Sequence, residues 1–205
     1  MKNVKILGSC YIDPQVKLGE NVVIYSNVSI IGDSEIGDNV VIMPNTTIEN
    51  CKIGTGTVIK SSYLENSVIG NNCQIGPYSH LRPNCVLGDN CHIGNFVEIK
   101  NSTVGNGTKA NHLAYVGDAD LGKDCNIGCG AIFVNYNGRN KNRTTVGDNC
   151  FIGSNCNIIA PVKIADKTYI CAGTTLTVDT AENDFVIGRT RETIKENRAD
   201  QYLKK

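Results

Sequence analysis

The chain has 205 residues, and its 20 basic and 20 acidic side chains leave no formal net charge at pH 7. This balance argues against a surface that binds nucleic acid or an anionic membrane. No apolar run approaches the roughly 20 residues of a membrane span. The N-terminal sequence MKNVKILGSCYIDP also lacks an apolar signal core, so we expect a cytoplasmic protein.

A six-residue repeat begins near the N-terminus and continues along most of the chain. Large aliphatic residues, which we call anchors, recur at every sixth position from Ile6 to Ile48, and after short slips of register they continue to Leu176. This period fits neither an α-helix nor an alternating strand, but it is typical of short strands stacked into coils. Glycine follows many anchors, where we expect unusual backbone angles. The sequence therefore predicts an all-β fold, a parallel β-helix.

The position two residues before each anchor should point to the same side as the anchor and hold a small residue. Eight of the ten cysteines occupy it, namely Cys10, Cys51, Cys73, Cys85, Cys91, Cys125, Cys150 and Cys156. We interpret them as reduced and buried apolar side chains rather than as disulfides or zinc ligands. Of the three histidines, His80 and His92 each precede an anchor but on different faces, and His112 follows one, so we predict no metal site.

Counting the repeats in threes assigns the anchors to three faces and predicts a polar patch. Arg82 and Lys100 follow anchors of the second face, one coil apart, while Glu98 and Tyr115 precede anchors of that face. His112 falls at the corner that leads from the first face into the second. Two adjacent cations repel each other unless an anion lies between them, and a phosphate is the obvious candidate. A solvated polar face is the alternative.

A groove is expected along the same corner. Two residues beyond the anchors of the first face, His112 is followed in the next three coils by Cys129, Ser154 and Ala172. Three small residues after a bulky one leave a channel of about 14 Å, since coils stack at ~4.8 Å. Such a channel would suit a thin ligand such as a pantetheine arm, with its reactive end at His112.

An insertion at 134–145 interrupts the repeat and adds seven residues. It is too polar for a core and too long for a plain corner, so we expect it to reach over a neighbouring surface near the patch. The charged segment 179–205 predicts a C-terminal tail, either a short helix or mobile.

The segments HLRP, GNFVEIK, KANHLAYVGDA, NIGCG and FVNYNGRNK carry a family resemblance. They resemble the C-terminal acetyltransferase domain of the bifunctional N-acetylglucosamine-1-phosphate uridyltransferase/glucosamine-1-phosphate N-acetyltransferase, a hexapeptide-repeat transferase that makes UDP-N-acetylglucosamine. The resemblance implies a left-handed β-helix of about ten coils over residues 1–178. It also implies a homotrimer with sites between subunits, acetyl-CoA as co-substrate and no metal for acetyl transfer.

The same resemblance implies residue roles. His112 would be the general base. The sugar phosphate would be held by Arg82, Lys100, Tyr115, Asn126 and Lys141. The acetyl-CoA site would be lined by Cys129, Asn135, Tyr136, Ser154, Ala172 and Arg189.

Three departures from the family pattern stand out. The nucleotide-binding half is absent, so we expect no uridyltransferase activity in this chain. The family's NYDG reads Asn135-Tyr136-Asn137-Gly138 here, and Cys129 stands where the family has alanine.

The expected reaction is N-acetylation of glucosamine 1-phosphate to N-acetylglucosamine 1-phosphate. An amino sugar arrives mostly as an ammonium ion, so a base must remove a proton, and histidine suits that task. Glu98 would orient the imidazole of His112, and the amine would attack the thioester directly. An acyl-enzyme on Cys129 is a weaker idea. The alternatives are an acetyltransferase of the same fold for another amino sugar or sugar nucleotide, and a non-catalytic scaffold or binding protein.

Overall fold

The computed structural model describes residues 3–203, so predictions for residues 1–2 and 204–205 lie outside the described part. The chain folds into three parallel sheets, and consecutive strands of the sequence belong to different sheets. Each sheet therefore takes every third strand, as in a β-helix with three faces. The prediction of an all-β, left-handed parallel β-helix of about ten coils is confirmed.

The strands are numbered in chain order. The first face contains β1 (Lys5–Leu7), β4 (Val23–Tyr25), β7 (Val41–Ile42), β10 (Val58–Ile59), β13 (Gln74–Ile75), β16 (His92–Asn95), β19 (Lys109–His112), β22 (Asn126–Ile127), β25 (Phe151–Ile152), β28 (Tyr169–Ile170) and β30 (Phe185–Val186). The second contains β2 (Cys10–Ile12), β5 (Val28–Ile31), β8 (Thr47–Glu49), β11 (Tyr63–Glu65), β14 (His80–Leu81), β17 (Glu98–Lys100), β20 (Tyr115–Gly117), β23 (Ile132–Val134), β26 (Asn157–Ile159) and β29 (Thr175–Leu176). The third contains β3 (Lys17–Leu18), β6 (Glu35–Ile36), β9 (Lys52–Ile53), β12 (Val68–Ile69), β15 (Val86–Leu87), β18 (Thr103–Val104), β21 (Ala119–Leu121), β24 (Thr144–Val146) and β27 (Lys163–Ile164).

The register between coils follows the anchors. On the first face Ile93 pairs with Ala110, and Ala110 pairs with Ile127. Ile127 then pairs with Ile152 even though the insertion lies between them in sequence. The anchor pattern thus decides which residues become neighbours, and insertions leave the sheets from their edges.

Asparagine and glycine shape the corners in different ways. Left-handed backbone angles fall mainly on asparagine, as at Asn39 (φ 58°) and Asn90 (φ 59°), which tolerates them better than most residues. Gly37, which follows an anchor, has no left-handed angle, but a Cβ atom there would lie 2.8 Å from the backbone nitrogen of Thr55. The expectation of unusual angles is therefore wrong for most such glycines, and it holds at Gly32 (φ 64°) and Gly76 (φ 90°). They are required because stacked corners approach closely.

The anchors fill the interior of the coils. Ile24, Ile48 and Leu81 have no exposed surface, and Phe133 is the largest side chain in the core. The first coil differs, because Ile6 is 51% exposed. A coil at the end of the stack has only one neighbouring coil to cover its anchors, so its apolar residues stay partly in solvent.

The cysteines are free thiols and mostly buried. Of the eight that precede anchors, only Cys10 in the first coil is half-buried, and Cys171 is buried as well. Cys129 is the exposed thiol. The interpretation of these cysteines as small core residues is therefore confirmed where coils lie on both sides.

Beyond residue 178 the first face continues, because β30 pairs with β28. The remainder of the tail is exposed and contains one turn of 3-10 helix, Ala199–Gln201. Within residues 3–203 no helix has the length and apolar character needed to cross a membrane.

We expect thiol reagents to distinguish Cys129 from the core cysteines. The core thiols are buried and therefore out of reach of the reagent, and this includes Cys150, whose pKa a hydrogen bond with Cys125 lowers to about 7. Titration with a chromogenic disulfide should therefore show about one fast thiol in native protein and ten in denaturant. The Cys129→Ser variant should lose the fast phase. Several fast thiols in the native protein would contradict the burial described here.

Candidate functional site

The polar patch lies on the outer side of the second face, where β14, β17 and β20 are neighbours. Glu98 pairs in register with Tyr115, and the backbone N–H of Arg82 donates to the carbonyl of Ile99, the residue before Lys100. Arg82, Glu98, Lys100 and Tyr115 therefore meet, as the anchor count predicts.

Each cation of the patch already faces a carboxylate. Arg82 Nη1 donates to Glu98 Oε1 at 2.9 Å, and this bond raises the pKa of the guanidinium further. Lys100 Nζ lies 3.7 Å from Asp118 Oδ2. Neighbouring carboxylates therefore balance both charges without a bound anion, and the assignment of a phosphate to this patch stays a prediction.

The orientation of His112 also differs from the expectation. Its Nδ1 lies 2.6 Å from Asn95 Oδ1, in the coil below, whereas Glu98 is bound to Arg82. Asn95 and His112 pair in register between β16 and β19. The assignment of Glu98 as the group that orients the imidazole is therefore corrected to Asn95. Asn95 occupies the corner-column position one coil below His112, two residues beyond the anchor Ile93, so the anchor count also locates it.

A buried carboxylate that sequence reasoning missed lies at the centre of the site. Asp118 is 6% exposed and accepts hydrogen bonds from Asn101 Nδ2 at 2.5 Å and from Asn135 Nδ2. Burial alone would raise its pKa. The hydrogen bonds from Asn101 and Asn135, with the ammonium groups of Lys100 and Lys141, outweigh burial and lower it.

Asp118 has a left-handed corner angle, φ 49°, like the asparagines at other corners. The sequence contained one sign of this carboxylate, because the corner position in GDAD holds aspartate where other corners hold asparagine. A buried carboxylate is stable there only when hydrogen-bond donors surround it.

Hydrogen bonds hold both ends of the inserted loop against the coils that carry the patch. Residues 135–143 separate β23 from β24. Arg143 binds both carboxylate oxygens of Asp120 at 2.5 Å and donates to the carbonyl of Asn101 at 2.9 Å. Asn135 at the other end of the loop is buried against Asp118. Both ends of the loop are therefore hydrogen-bonded to the preceding coils of the same chain.

Asn137 in the loop explains one departure from the family pattern. Its Oδ1 accepts from the backbone N–H groups of Arg139 (3.0 Å) and Asn140 (2.8 Å). An oxygen acceptor is all that this turn needs, so the missing carboxylate leaves the loop's local structure intact.

Lys141 joins the patch from the loop. The neighbouring ammonium group of Lys100 lowers the pKa of Lys141, while Asp118 and Tyr115 act in the opposite direction. Two lysines are therefore held close together at the outer end of the patch. Such a pair favours an anionic ligand that bridges both charges.

The corner column also forms as predicted. The pairing of the first-face anchors places His112, Cys129, Ser154 and Ala172 in consecutive coils, and all four are exposed. Arg189 Nη1 donates to the carbonyl of Ala172 at 3.0 Å, so the tail meets the far end of the column.

Several backbone donors in the column are unused. Within residues 3–203 the N–H groups of Cys129, Ser154 and Ala172 make no hydrogen bond, although the N–H groups of Gly128 and Gly130 beside Cys129 are bonded. The N–H of Cys129 is one coil above His112, nearer than the other two, and could bind a developing oxyanion.

Some predicted site residues are not brought together. Asn126 lies on the outer side of the first face, paired with Lys109 and Phe151, and so away from the patch. Asn126 belongs to the first face and the patch to the second, so its closeness to Tyr115 in sequence does not make it a neighbour of the patch. The side chain of Asn135 is buried and bonded to Asp118 and to the Tyr115 hydroxyl, so it belongs to the patch rather than to the corner column. Tyr136 is exposed, with its hydroxyl bonded to the carbonyl of Gly138.

Comparison with known proteins places this geometry in a family. Residues 33–62, 66–101 and 143–177 match the model described as bacterial transferase hexapeptide (six repeats). The chain is 50% identical over 197 residues to a bifunctional protein GlmU of Caldicellulosiruptor saccharolyticus. The aligned region covers 95% of this chain and 42% of that protein. The chain belongs to the hexapeptide-repeat bacterial transferases.

A second relative and a solved structure show the same similarity. The chain is 46% identical over 188 residues to the bifunctional protein GlmU of Clostridioides difficile, covering 92% of this chain and 41% of that protein. The chain thus spans about two fifths of the length of these relatives. An Arabidopsis UDP-N-acetylglucosamine acyltransferase shares the fold, with a TM-score of 0.56 and 17% identity over 85% of this chain and 68% of that one.

The Asp118→Asn variant should be less stable than the unmodified protein at pH 7, by about 1–3 kcal/mol in the free energy of unfolding. Because the folded state lowers the pKa of Asp118, its stabilising effect is present above the ordinary aspartate pKa and is lost as pH falls through the folded value. Thermal unfolding from pH 7 to pH 3 should therefore show the deficit shrinking in acid. Asp200→Asn in the exposed tail is the control, and an equal deficit at all pH values would contradict the assignment.

Proposed function

We propose that this protein transfers an acetyl group from acetyl-CoA to the amino group of glucosamine 1-phosphate. The observation that carries the proposal is the placement of His112, fixed by Asn95, between a corner column of small residues and a patch with two adjacent lysines. The names of the relatives support acyl transfer in sugar-nucleotide chemistry. The product would be N-acetylglucosamine 1-phosphate.

His112 would act as the general base. Since the amide oxygen of Asn95 can only accept, it fixes the proton of the imidazole on Nδ1 and leaves Nε2 able to take a proton. The substrate ammonium would lose its proton to Nε2 and become nucleophilic. The exposed position of His112 lets both substrates approach it.

The amine would then attack the thioester carbonyl directly. The carbonyl oxygen becomes an oxyanion, for which the unused N–H of Cys129 is the available donor. His112 releases that first proton to solvent and then takes a second proton from the attacking nitrogen. It passes this second proton to the leaving thiolate as the carbon–sulfur bond breaks and the amide forms. In this route Cys129 acts through its backbone, and its thiol forms no acyl intermediate.

The phosphate of the acceptor would lie against Lys100 and Lys141, with Arg82 and the Tyr115 hydroxyl beside it. A dianion between the two ammonium groups relieves their mutual repulsion, which the lowered pKa of Lys141 reflects. Arg82 can contribute while it remains paired with Glu98, since a guanidinium has five N–H donors.

The pantetheine arm would follow the column from His112 past Cys129, Ser154 and Ala172 to Arg189. We further propose a cytoplasmic homotrimer in which a second copy completes the site. Asn126, which lies away from the patch of its own chain, would then contact the acceptor bound to a neighbouring copy. Residues 1–178 would form the catalytic domain together with β30, which extends the first face, and the rest of 179–205 would be an appended tail.

Replacing His112 with alanine should lower kcat by a factor of about 10²–10⁴, the usual contribution of a positioned base. The measurement is thiol release from acetyl-CoA in the presence of glucosamine 1-phosphate. His92→Ala, which changes a histidine paired with Gln74 on the first face, is the matched control and should retain full activity. Unchanged turnover in the His112 variant would overturn the base assignment.

Replacing Lys141 with alanine should raise KM for glucosamine 1-phosphate by roughly 10- to 100-fold, the equivalent of one charged hydrogen bond. Because Lys141 would contact the phosphate alone, kcat/KM for unphosphorylated glucosamine should be the same in the variant and the unmodified protein. Lys163→Ala on the third face is the control. An equal loss with both acceptors would show that Lys141 supports the fold rather than binding phosphate. Running other amino sugars in the same assay tests the choice of acceptor.

A further inference from the structure

Two asparagine–glycine sequences occur in the chain, Asn106-Gly107 at a corner and Asn137-Gly138 in the inserted loop. In such a pair the backbone nitrogen of the glycine can attack the side-chain amide carbon of the asparagine, because no Cβ atom of the second residue obstructs the approach. Hydrogen bonds and packing decide whether this reaction occurs in a folded protein. The two pairs differ in both respects.

The corner pair is held away from reaction. The backbone N–H of Gly107 donates to the carbonyl of Asp89 at 2.9 Å, so the nitrogen is engaged in the bonding between coils. Asn106 Oδ1 accepts from the backbone N–H of Asp89, also at 2.9 Å. A Cβ atom at Gly107 would collide with the carboxylate of Asp124 in the coil above, so the backbone there has little room to move. Both members of this pair are therefore fixed by the neighbouring coils.

The loop pair is free where the corner pair is fixed. Within residues 3–203 the backbone N–H of Gly138 and the side-chain Nδ2 of Asn137 make no hydrogen bond. Both residues are exposed, and a Cβ atom at Gly138 would meet nothing within 4 Å. The attacking nitrogen and the departing amide group are thus unrestrained, and the backbone has room to rotate.

The amide oxygen of Asn137, in contrast, is bound. It accepts from the backbone N–H groups of Arg139 at 3.0 Å and of Asn140 at 2.8 Å. When a nucleophile attacks an amide carbon, the amide oxygen becomes an oxyanion, and two backbone N–H donors are an arrangement that stabilises it. The turn therefore favours attack on this side chain in addition to leaving its partners free.

We propose that Asn137 is a site of spontaneous deamidation that changes the inserted loop. The nitrogen of Gly138 forms a bond to Cγ of Asn137, the Cγ–Nδ2 bond breaks, and ammonia leaves with the proton of the Gly138 N–H. Water then opens the resulting succinimide ring. Cleavage of the ring bond to Cγ gives aspartate. Cleavage of the ring bond to the backbone carbonyl carbon gives isoaspartate, in which the main chain passes through the former side chain.

The two products have different effects on the loop. Aspartate keeps an oxygen that accepts from both N–H groups, and its charge strengthens these bonds. Isoaspartate adds one carbon to the main chain of a turn that is flanked by the bridge between Tyr136 and Lys141. The longer turn cannot keep this bridge in register, so Lys141 moves away from Lys100. The consequence for the acceptor rests on the proposed function, whereas the reaction at Asn137 does not.

Ageing of the native protein in mildly alkaline buffer, followed by proteolysis and mass spectrometry, measures the reaction at both asparagines. Deamidation should be faster at Asn137 than at Asn106 by about tenfold or more, since the corner must open before Gly107 can attack. In denaturant the two sites should react at similar rates. Asn137→Gln, whose longer side chain closes a ring far more slowly, should block the reaction at this position. Equal rates in the native protein, or no reaction at Asn137, would overturn the proposal.

Enzymatic methylation of isoaspartate separates the products, and the activity of the aged protein tests their effects. KM for glucosamine 1-phosphate should rise with the isoaspartate content of the unmodified protein and stay constant in aged Asn137→Gln. Freshly prepared Asn137→Asp, which carries the aspartate product, should have the KM of the unmodified protein. An unchanged KM in protein rich in isoaspartate would overturn the effect on Lys141. If no acceptor supports thiol release, the proposed function fails, and mass spectrometry still decides whether Asn137 reacts.

Discussion

The structure depends on the hydrogen bonding of each coil to the next. Every strand is paired in parallel with its counterparts in the adjacent coils, on both sides except at the ends of the stack, at a spacing of ~4.8 Å. This stacking brings residues that are far apart in sequence into contact, such as Asn101 and Arg143, which are separated by 42 positions. The anchors fix the register and the corners turn the chain. Outward-facing side chains are then free to vary, and the site is built from them.

Within the site, Asp118 holds together side chains that strand pairing alone does not bring into contact. Two lysines and two asparagines, from different coils and from the inserted loop, converge on one buried carboxylate. Buried charges are tolerated only when they are compensated in this way. Asp118 links the shape of the loop to the charge of the patch, because the same carboxylate that fastens Asn135 also faces Lys100.

Much of this could be predicted from the sequence, because a strict period translates directly into geometry. The faces, the register, the buried cysteines and the corner column follow from counting residues in sixes and threes. The partners of charged side chains do not follow. Arg82 and Glu98 are equally well placed to serve a ligand or one another, and only the rotamers decide. Asn95 and Asp118 were missed because amides and carboxylates at corners normally serve the backbone.

The aligned coils also determine how motion spreads through the molecule. Each coil contacts only its immediate neighbours, so the fold behaves as a one-dimensional chain of coupled units in which opening begins at an end and must travel inward. The first coil, with Ile6 half in solvent, is such an end. His112 lies several coils from either terminus of the stack. The fluctuations that loosen the ends must therefore disrupt intact coils, one after another, before they disturb the imidazole.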